Sequence, residues 1–280
     1  MTGSLVVVAT PIGTLDDLSP RAAAALREAD LVACEDTRRT AVLLRHAGST
    51  APMVPSHQHN EAARAADLVR RMRDGARVVL VSDAGMPGVS DPGTRVVAAA
   101  LGADIPVTVI PGPGAVETAL VASGLATGMG YAFVGFAPRK AAETQRFLAR
   151  LDTWSDPVVM FESPRRVPAL LTAISAHDPE RRVAVCRELT KVHEEVLRGT
   201  ARELADQIRE PLRGEVAVVI APPAEPPPAN EDALAHAIVP MLSAGMSPAR
   251  AADVVAALGA APRNAAYRAA LAAAAMRDSA

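Results

Sequence analysis

Twelve residues, Ser82-Asp83-Ala84-Gly85-Met86-Pro87-Gly88-Val89-Ser90-Asp91-Pro92-Gly93, combine three glycines, two prolines and two aspartates. Glycine lets a backbone approach a ligand closely, and aspartate supplies acceptors. Two further loops share this character: Thr10-Pro11-Ile12-Gly13 and Pro111-Gly112-Pro113-Gly114-Ala115. Each of the three follows a short apolar run, and ligands in open α/β sheets bind beyond the carboxyl ends of strands. Together they point to a ligand held largely by backbone groups.

The absence of G-x-x-x-x-G-K-[ST] argues against a P-loop nucleotide site. Gly112-Pro113-Gly114 opens like a dinucleotide fingerprint, but Glu117 stands where the third glycine belongs and would repel a pyrophosphate. A cationic ligand with an adenosine and a carboxylate fits better. S-adenosylmethionine is such a molecule, and its carboxylate can use helix N-terminal amides. No metal is expected: His57-Gln58-His59 has no ligand partner beside it, and His193-Glu194-Glu195 lacks the second histidine of a zinc-protease helix. No G-x-S-x-G elbow supports hydrolysis.

Four charged clusters form a second group of candidates. They are Glu35-Asp36-Thr37-Arg38-Arg39, Arg139-Lys140, Glu162-Ser163-Pro164-Arg165-Arg166 and Glu188-Leu189-Thr190-Lys191. Each follows a predicted strand, or nearly so. A single cluster reads equally well as a solvated face, whereas four on one side suggest a rim facing a polyanion.

These loops need elements to hold them. Strands are predicted at residues 5–9, 31–34, 77–81 and 107–110, with helices at 19–28, 61–73 and 94–101. Asp91 and Pro92 are expected as N-cap and first residue of the last helix. The pattern restarts with strands at 131–134, 158–161, 183–186 and 215–220, a further one at 193–197, and helices at 141–151, 165–175 and 202–209. The alternation predicts an α/β fold with two mainly parallel or mixed sheets. The expected division is residues 1–112 and 113–221 as two α/β domains, a stiff proline-rich linker at 222–230, and helices resembling a helix-turn-helix at 231–280.

Bulk composition narrows the class. Of 280 residues, half are hydrophobic but only 2% are aromatic, so the core must rely on tight helix packing against sheets. The net charge of −2 neither demands nor excludes a nucleic acid. Cys34 and Cys186 lack metal spacing and are expected as reduced thiols of a cytoplasmic protein. The run 5–9 is too short for a signal-peptide core, and no run approaches a membrane span.

The ordered motifs, including Ala9-Thr10-Pro11-Ile12-Gly13, Glu35-Asp36-Thr37-Arg38, Ser82 to Gly93, Pro111-Gly112-Pro113, Gly135-Phe136 with Pro138-Arg139-Lys140, Glu162-Ser163-Pro164 and Glu188-Leu189-Thr190-Lys191, resemble the ribosomal RNA small subunit methyltransferase I family of the tetrapyrrole-methylase superfamily. The likeness runs from about residue 5 to 221. It implies a two-domain, usually dimeric α/β enzyme with S-adenosylmethionine in the cleft between the domains. The methyl would go to the ribose 2′-hydroxyl of a cytidine in the decoding region of small-subunit rRNA, free or within the 30S subunit. Cofactor contacts carry over to Pro11, Asp83, Ala84, Gly85, Met86, Ser90, Gly114 and Ala115, with Phe161 and Leu189 closing the pocket.

Met86 stands where the family pattern has threonine, Gly114 where it has serine, and Arg165 where it has histidine. The first two changes remove a hydroxyl but leave backbone contacts possible. Glu188 and Glu162 are candidate bases, and Lys191 is a candidate stabiliser of a developing oxyanion. An inter-loop ion pair is the alternative for all three. Arg38, Arg39, Arg139, Lys140, Arg165 and Arg166 are candidate contacts to RNA. Rival readings are a methylase of corrin or porphyrin precursors and a non-catalytic nucleic-acid-binding module.

Overall fold

Valine-rich runs of four to six residues form most of the strands in the computed structural model, which describes residues 3–57, 60–224, 231–258 and 261–278. The first sheet is built from β1 (Ser4–Val8), β2 (Leu31–Cys34), β3 (Met53–Pro55), β4 (Arg77–Leu80) and β5 (Val107–Ile110). Between them lie α1 (Pro20–Arg27), α2 (Thr37–Ala47), α3 (Glu61–Arg73) and α4 (Thr94–Leu101). The strand order is β3-β2-β4-β1-β5, and every pair is parallel. Successive β1 residues point to opposite faces. Val6 and Val8 join the core under α1 and α2, while Leu5 and Val7 join the core under α3 and α4. A sheet covered on both sides needs uninterrupted apolar strands, which is why these runs do not alternate with polar residues.

Helix α5 (Ala115–Ser123) leads into the second sheet. It contains β6 (Ala132–Phe136), β7 (Val158–Glu162), β8 (Arg182–Arg187), β9 (Glu195–Thr200) and β10 (Val216–Ile220), with α6 (Ala141–Leu151), α7 (Val167–His177) and α8 (Ala201–Gln207). The order is β6-β7-β10-β8-β9. β6 and β7 are parallel, β10 runs antiparallel to β7 and β8, and β9 is antiparallel to β8. Leu148, Leu171, Ile174 and Leu204 cover one face. On the other face, Val159, Ala184, Cys186, Ala217 and Val219 pack with Val116, Ala119 and Leu120 of α5, and with Ile12 from the first half.

Two expectations are corrected, the first for a non-local reason and the second for a local one. Asp91 is not the cap of α4, and Pro92 is not its first residue. The cap is Gly93, at φ +141°, and the helix starts at Thr94. The orphan amides are satisfied from α3, where Glu61 Oε1 accepts from Gly93 N at 2.8 Å and from Arg95 N at 3.1 Å. The cluster Thr37-Arg38-Arg39, expected at a loop edge after the second strand with no helix assigned, forms the first turn of α2, capped by Asp36 Oδ1, which accepts from Arg38 N at 2.7 Å.

The chain divides into two compact units, Met1–Pro223 and Ala224–Ala280. Both sheets belong to the first. Most of the expected linker, residues 225–230, lies outside the described residues. The second unit holds α9 (Glu231–Ser243), α10 (Pro248–Ala257) and α11 (Arg263–Asp278). Ser247 caps α10, accepting from Arg250 N at 3.4 Å, with Pro248 at the first helical position. Its core is mostly alanine (Ala235, Ala251, Ala252, Ala266, Ala269, Ala270, Ala273), with Ile238, Leu242 and Val255. Small side chains let helices approach closely, and three helices, not two, share this core. No described helix is long and apolar enough to cross a membrane.

Candidate active site

Strands β4, β1 and β5 are neighbours and parallel, so the three glycine-rich loops leave the same edge side by side. Two of them are stitched together: Thr10 N donates to Gly85 O at 2.9 Å, and Gly85 N donates to Thr10 O at 3.0 Å. Thr10 Oγ1 reaches Ser82 O at 3.2 Å, and Ser82 Oγ reaches Gly85 O at 3.0 Å. Gly85 sits at φ +78°, a region that side chains rarely adopt. A Cβ on Gly112 would stand 3.0 Å from Ala9 Cβ and 3.3 Å from Ala9 O. These loops are packed backbone against backbone. Pro11 and Gly85 are buried, and Ala84 and Ala115 border the core between the halves. Gly114 precedes α5 and brings free amides of its first turn to this edge.

The departures from the family pattern have visible surroundings. Met86 packs against the core under α3 and α4. The Glu117 carboxylate, which accepts from Tyr131 OH at 2.8 Å, fills the space a side chain on Gly114 would need, 2.3 Å from that Cβ position. Ser90 is held at φ +64°.

Carboxylates gather beside this edge. Asp83 Oδ1 accepts from Asp36 N at 3.0 Å, and Arg39 Nε lies 3.7 Å from Asp83 Oδ2. Burial, then the neighbouring Asp83, raises the Glu35 pKa. Burial, then Glu35 and Asp83, pushes Asp91 up to about 6. Three acids sharing one field favour a cationic ligand.

The second sheet ends in charge. β6, β7 and β8 finish, and β10 begins, on one edge. Lys191 Nζ bonds Glu188 Oε1 and Glu215 Oε2, each at 2.8 Å, and Glu215 N donates to Glu188 Oε1 at 2.9 Å. Gly214, at φ +87°, leaves room for Glu188, whose Cδ would be 2.3 Å from a Cβ there. Hydrogen bonds from Lys191 and the Glu215 amide lower the Glu188 pKa. Burial alone would lower that of Lys191, but its bonds to Glu188 and Glu215 outweigh this and raise it. Glu188 and Thr190 have φ of +52° and +64°, unusual for residues with side chains.

Glu162 is 3% exposed. Its Oε1 accepts from Ser163 N at 2.6 Å and faces Arg166 Nη1 at 3.3 Å, while Oε2 is buried with no hydrogen-bond partner. Burial raises its pKa, against the pull of Ser163, Arg166 and Arg139. Arg166 Nη2 donates to Pro138 O at 2.5 Å, tying the loop after β6 to the loop after β7. Arg139, Lys140 and Arg165 are exposed, with Lys140 3.2 Å from Glu143. Arg38 is exposed and pairs with Asp36 at 3.0 Å.

The two edges meet at Gly13. A Cβ there would stand 2.5 Å from Thr190 Oγ1, 2.6 Å from Lys191 Cγ and 3.0 Å from Leu189 O. Thr14 N donates to Thr190 Oγ1 at 3.1 Å, and Thr14 Oγ1 bonds Thr190 O. Leu189 and Phe161 share the core of Ile12, Ala84 and Ala115. The fold thus gathers Pro11, Ala84, Gly85, Ala115, Phe161 and Leu189, with Lys191 adjoining. Arg38 and Arg39 go to the acidic side, whereas Arg139, Lys140, Arg165 and Arg166 lie at the ends of β6 and β7. Sequence reasoning missed Thr14, Glu215, the Glu35–Asp91 pairing and the clustering of Phe133, Phe136 and Phe161. Only the charge of Glu215 and the closeness in sequence of Phe133 and Phe136, the latter just beyond the strand predicted at 131–134, offered any signal. Among the described residues, no group of three or more His, Cys, Asp or Glu is arranged to hold a metal ion; Gln58 and His59 lie outside them.

The family model for Tetrapyrrole (Corrin/Porphyrin) Methylases matches residues 4–205. Ribosomal RNA small subunit methyltransferase I of Mycobacterium bovis is 47% identical over 226 residues, covering 79% of this chain and 78% of that protein. The chain belongs to the ribosomal RNA small subunit methyltransferase I family of tetrapyrrole methylases. The Synechocystis sp. member of this family is 38% identical over 270 residues, covering 95% of the chain and 96% of its own length. The methyltransferase CobJ superposes with a TM-score of 0.61 at 19% identity, covering 80% of this chain and 96% of that one. Uroporphyrin-III C-methyl transferase from Thermus thermophilus, complexed with S-adenyl homocysteine, gives 0.56 at 19% identity, covering 78% and 97%. These two likenesses are of fold. Family membership makes the chain a methyltransferase, with S-adenosylmethionine as the methyl donor.

Proposed function

We propose that this methyltransferase moves a methyl group from S-adenosylmethionine to the ribose 2′-hydroxyl of a cytidine in the decoding region of small-subunit rRNA. The observation that carries the reading is the seam at Gly13, where a charged loop able to face RNA is pressed against loops able to cradle a small cofactor. The residues present fit that cofactor. Pro11, Asp83 to Met86, Ser90, Gly114 and Ala115 would hold it, with Phe161 and Leu189 closing over it. The first-turn amides of α5 suit its carboxylate, and the field of Glu35, Asp83 and Asp91 suits its positive charge. Bound there, it supplies a methyl on a sulfonium leaving group.

The chain itself must bring the hydroxyl oxygen into line and stabilise it as its proton leaves. Lys191, held charged by two carboxylates, would stabilise that oxygen. Glu188 has a lowered pKa and two hydrogen bonds to cations or amides, so its role in this reading is to aim Lys191. Glu162, one residue on from Phe161, points to the opposite face of the pleat and holds Arg166. Arg38, Arg39, Arg139, Lys140, Arg165 and Arg166 would meet phosphates. The reading extends to the 30S subunit as the substrate form, to a homodimer and to the cytoplasm. It keeps the two α/β halves as separate domains and the C-terminal helices as a helix-turn-helix-like appendage, whose Arg263 is already paired with Asp253 at 2.7 Å.

The test is incubation of the full chain with labelled S-adenosylmethionine and either 30S subunits or free small-subunit rRNA, followed by mapping of ribose methylation. One methylated cytidine in the decoding region is expected. Label on a corrin or porphyrin precursor with none on RNA would reject the reading.

A further inference from the structure

The chain has four phenylalanines, and three of them meet at the ends of β6 and β7. Phe133 and Phe161 pack edge-to-face with ring centres 4.9 Å apart, and Phe136 lies 5.9 Å from Phe161. Their alignment depends on a bulge. Phe133 pairs with Val159, but Phe136 pairs with Phe161, so β6 spends one residue more than β7 over this stretch. Without it, Phe136 would point to the opposite face from Phe133. The extra residue, with Gly135 at φ +68°, turns Phe136 onto the face of Phe161, the one that meets the first half. Bulges beside active sites commonly re-aim a side chain in this way.

The ring so aimed is not buried. Phe136 is 62% exposed, in a protein with few aromatic residues. Ser90 of the long glycine-rich loop lies beside the bulge, its Oγ 3.8 Å from where a Gly135 Cβ would be. Arg139 and Lys140 follow at the end of the strand, both exposed. An exposed aromatic face flanked by cations, next to the loop that would hold the methyl donor, matches how single-stranded RNA is gripped: bases stack on rings while phosphates meet Arg and Lys.

We propose that Phe136 is a stacking platform for an unstacked nucleobase of the RNA substrate, set beside the nucleotide that is methylated. This rests on the RNA reading above. Phe136 binds and positions the RNA; it takes no part in the bond-breaking step.

The experiment compares the full chain with Phe136→Ala, Phe136→Leu and Phe136→Trp. It measures S-adenosylmethionine affinity, oligomeric state, melting temperature, and methylation kinetics against 30S subunits and small-subunit rRNA. Replacing a stacked aromatic by alanine weakens RNA binding by about tenfold or more, so Ala and Leu should raise KM for RNA by that factor. They should leave kcat, cofactor affinity and melting temperature near wild type, and Trp should restore KM. An unchanged KM in the Ala variant overturns the proposal. So does a KM equally preserved by Leu and Trp, which would mean plain apolar contact. A loss of cofactor affinity would assign the ring to the cofactor, and a change of oligomeric state would assign it to a second copy of the chain; either also overturns it. Wild-type protein that methylates no RNA overturns the functional reading itself, a result seen before any variant is compared.

Discussion

The two sheets of the first unit end in loops of opposite construction. Beyond β4, β1 and β5 the loops are glycine and proline, stitched by backbone hydrogen bonds such as Thr10–Gly85, with carboxylates alongside. Beyond β6, β7 and β8 the loops are arginines, lysines and glutamates in ion pairs such as Glu188–Lys191–Glu215. In the proposed reading the first edge would recognise chiefly by backbone shape, with the field of Glu35, Asp83 and Asp91 added for a cation. The second would recognise by charge on long side chains, which is adaptable and screened by salt. A small cofactor of fixed shape suits the first edge, and a polyanion the second. In the proposed function the chemistry would lie where they touch, at Gly13, Thr190 and Lys191.

The largest effect should come from removing the charge at that contact. Lys191→Ala is expected to lower turnover on RNA by about 100- to 1,000-fold, the cost of losing one oxyanion-stabilising group. Cofactor affinity should stay near wild type, because in the proposed reading the loops beyond β4, β1 and β5 hold the cofactor without it. Stability should fall by less than about 1 kcal/mol, since the side chain is partly exposed and its pairs lie near the surface. Calorimetry with S-adenosylmethionine beside single-turnover assays on RNA separates the two. Loss of both in parallel would erase the division of labour between the edges.

Two glycine substitutions sharpen the same contrast. Gly13→Ala puts a Cβ 3.0 Å from the Leu189 carbonyl, besides the more yielding Thr190 and Lys191 side chains. It should destabilise the protein by about 1–3 kcal/mol and depress turnover by displacing Lys191. Gly85→Ala has room, with Ile12 Cγ2 3.6 Å away, but its φ of +78° imposes a cost of about 1–2 kcal/mol. It should weaken cofactor binding and leave turnover at saturating cofactor nearly unchanged. Melting curves and full kinetics on both variants check this; the reverse pattern would misplace the seam.

Much of this was legible in the chain. Helices at residues 61–73 and 141–151 follow the reading residue for residue, because their apolar faces repeat at helical spacing and turn residues bound them. β3 was invisible: three residues ending in proline carry no pattern. α2 was masked by its charged first turn, although Thr40, Leu43, Leu44 and Ala47 make a buried stripe behind it. What escaped altogether was non-local. Asp91-Pro92 reads as a helix start, but the amides of α4 are satisfied by Glu61 on another helix. The bulge at Gly135 exists only relative to β7, and the triad around Lys191 needs Glu215, which lies just before β10, 24 residues later.

The smallest expected effect concerns Asp91, freed of its supposed capping role. Burial, then Glu35 and Asp83, raises its pKa from 3.8 to about 6, while a hydrogen bond from Ser82 works the other way. The folded state therefore holds this proton more tightly than the unfolded one. The stabilisation that tight binding supplies is complete below the unfolded value and is lost as pH rises from about 4 to about 6. Above that window the protein carries an ionised Asp91 against two like charges. Asp91→Asn removes the repulsion without changing the shape, so the variant should melt higher than wild type at pH 7.5. The two melting curves should converge near pH 4, where the wild-type carboxyl is already neutral. In the same variant, cofactor affinity at pH 7.5 should fall slightly, because one of three acids facing a cation is gone. Thermal melts without cofactor across pH 4 to 7.5, with one calorimetric titration at the upper end, measure both. A melting difference that stays constant across the range would mean that Asp91 ionises as an ordinary surface acid, and the electrostatic contrast between the two edges would then rest on Glu35 and Asp83 alone.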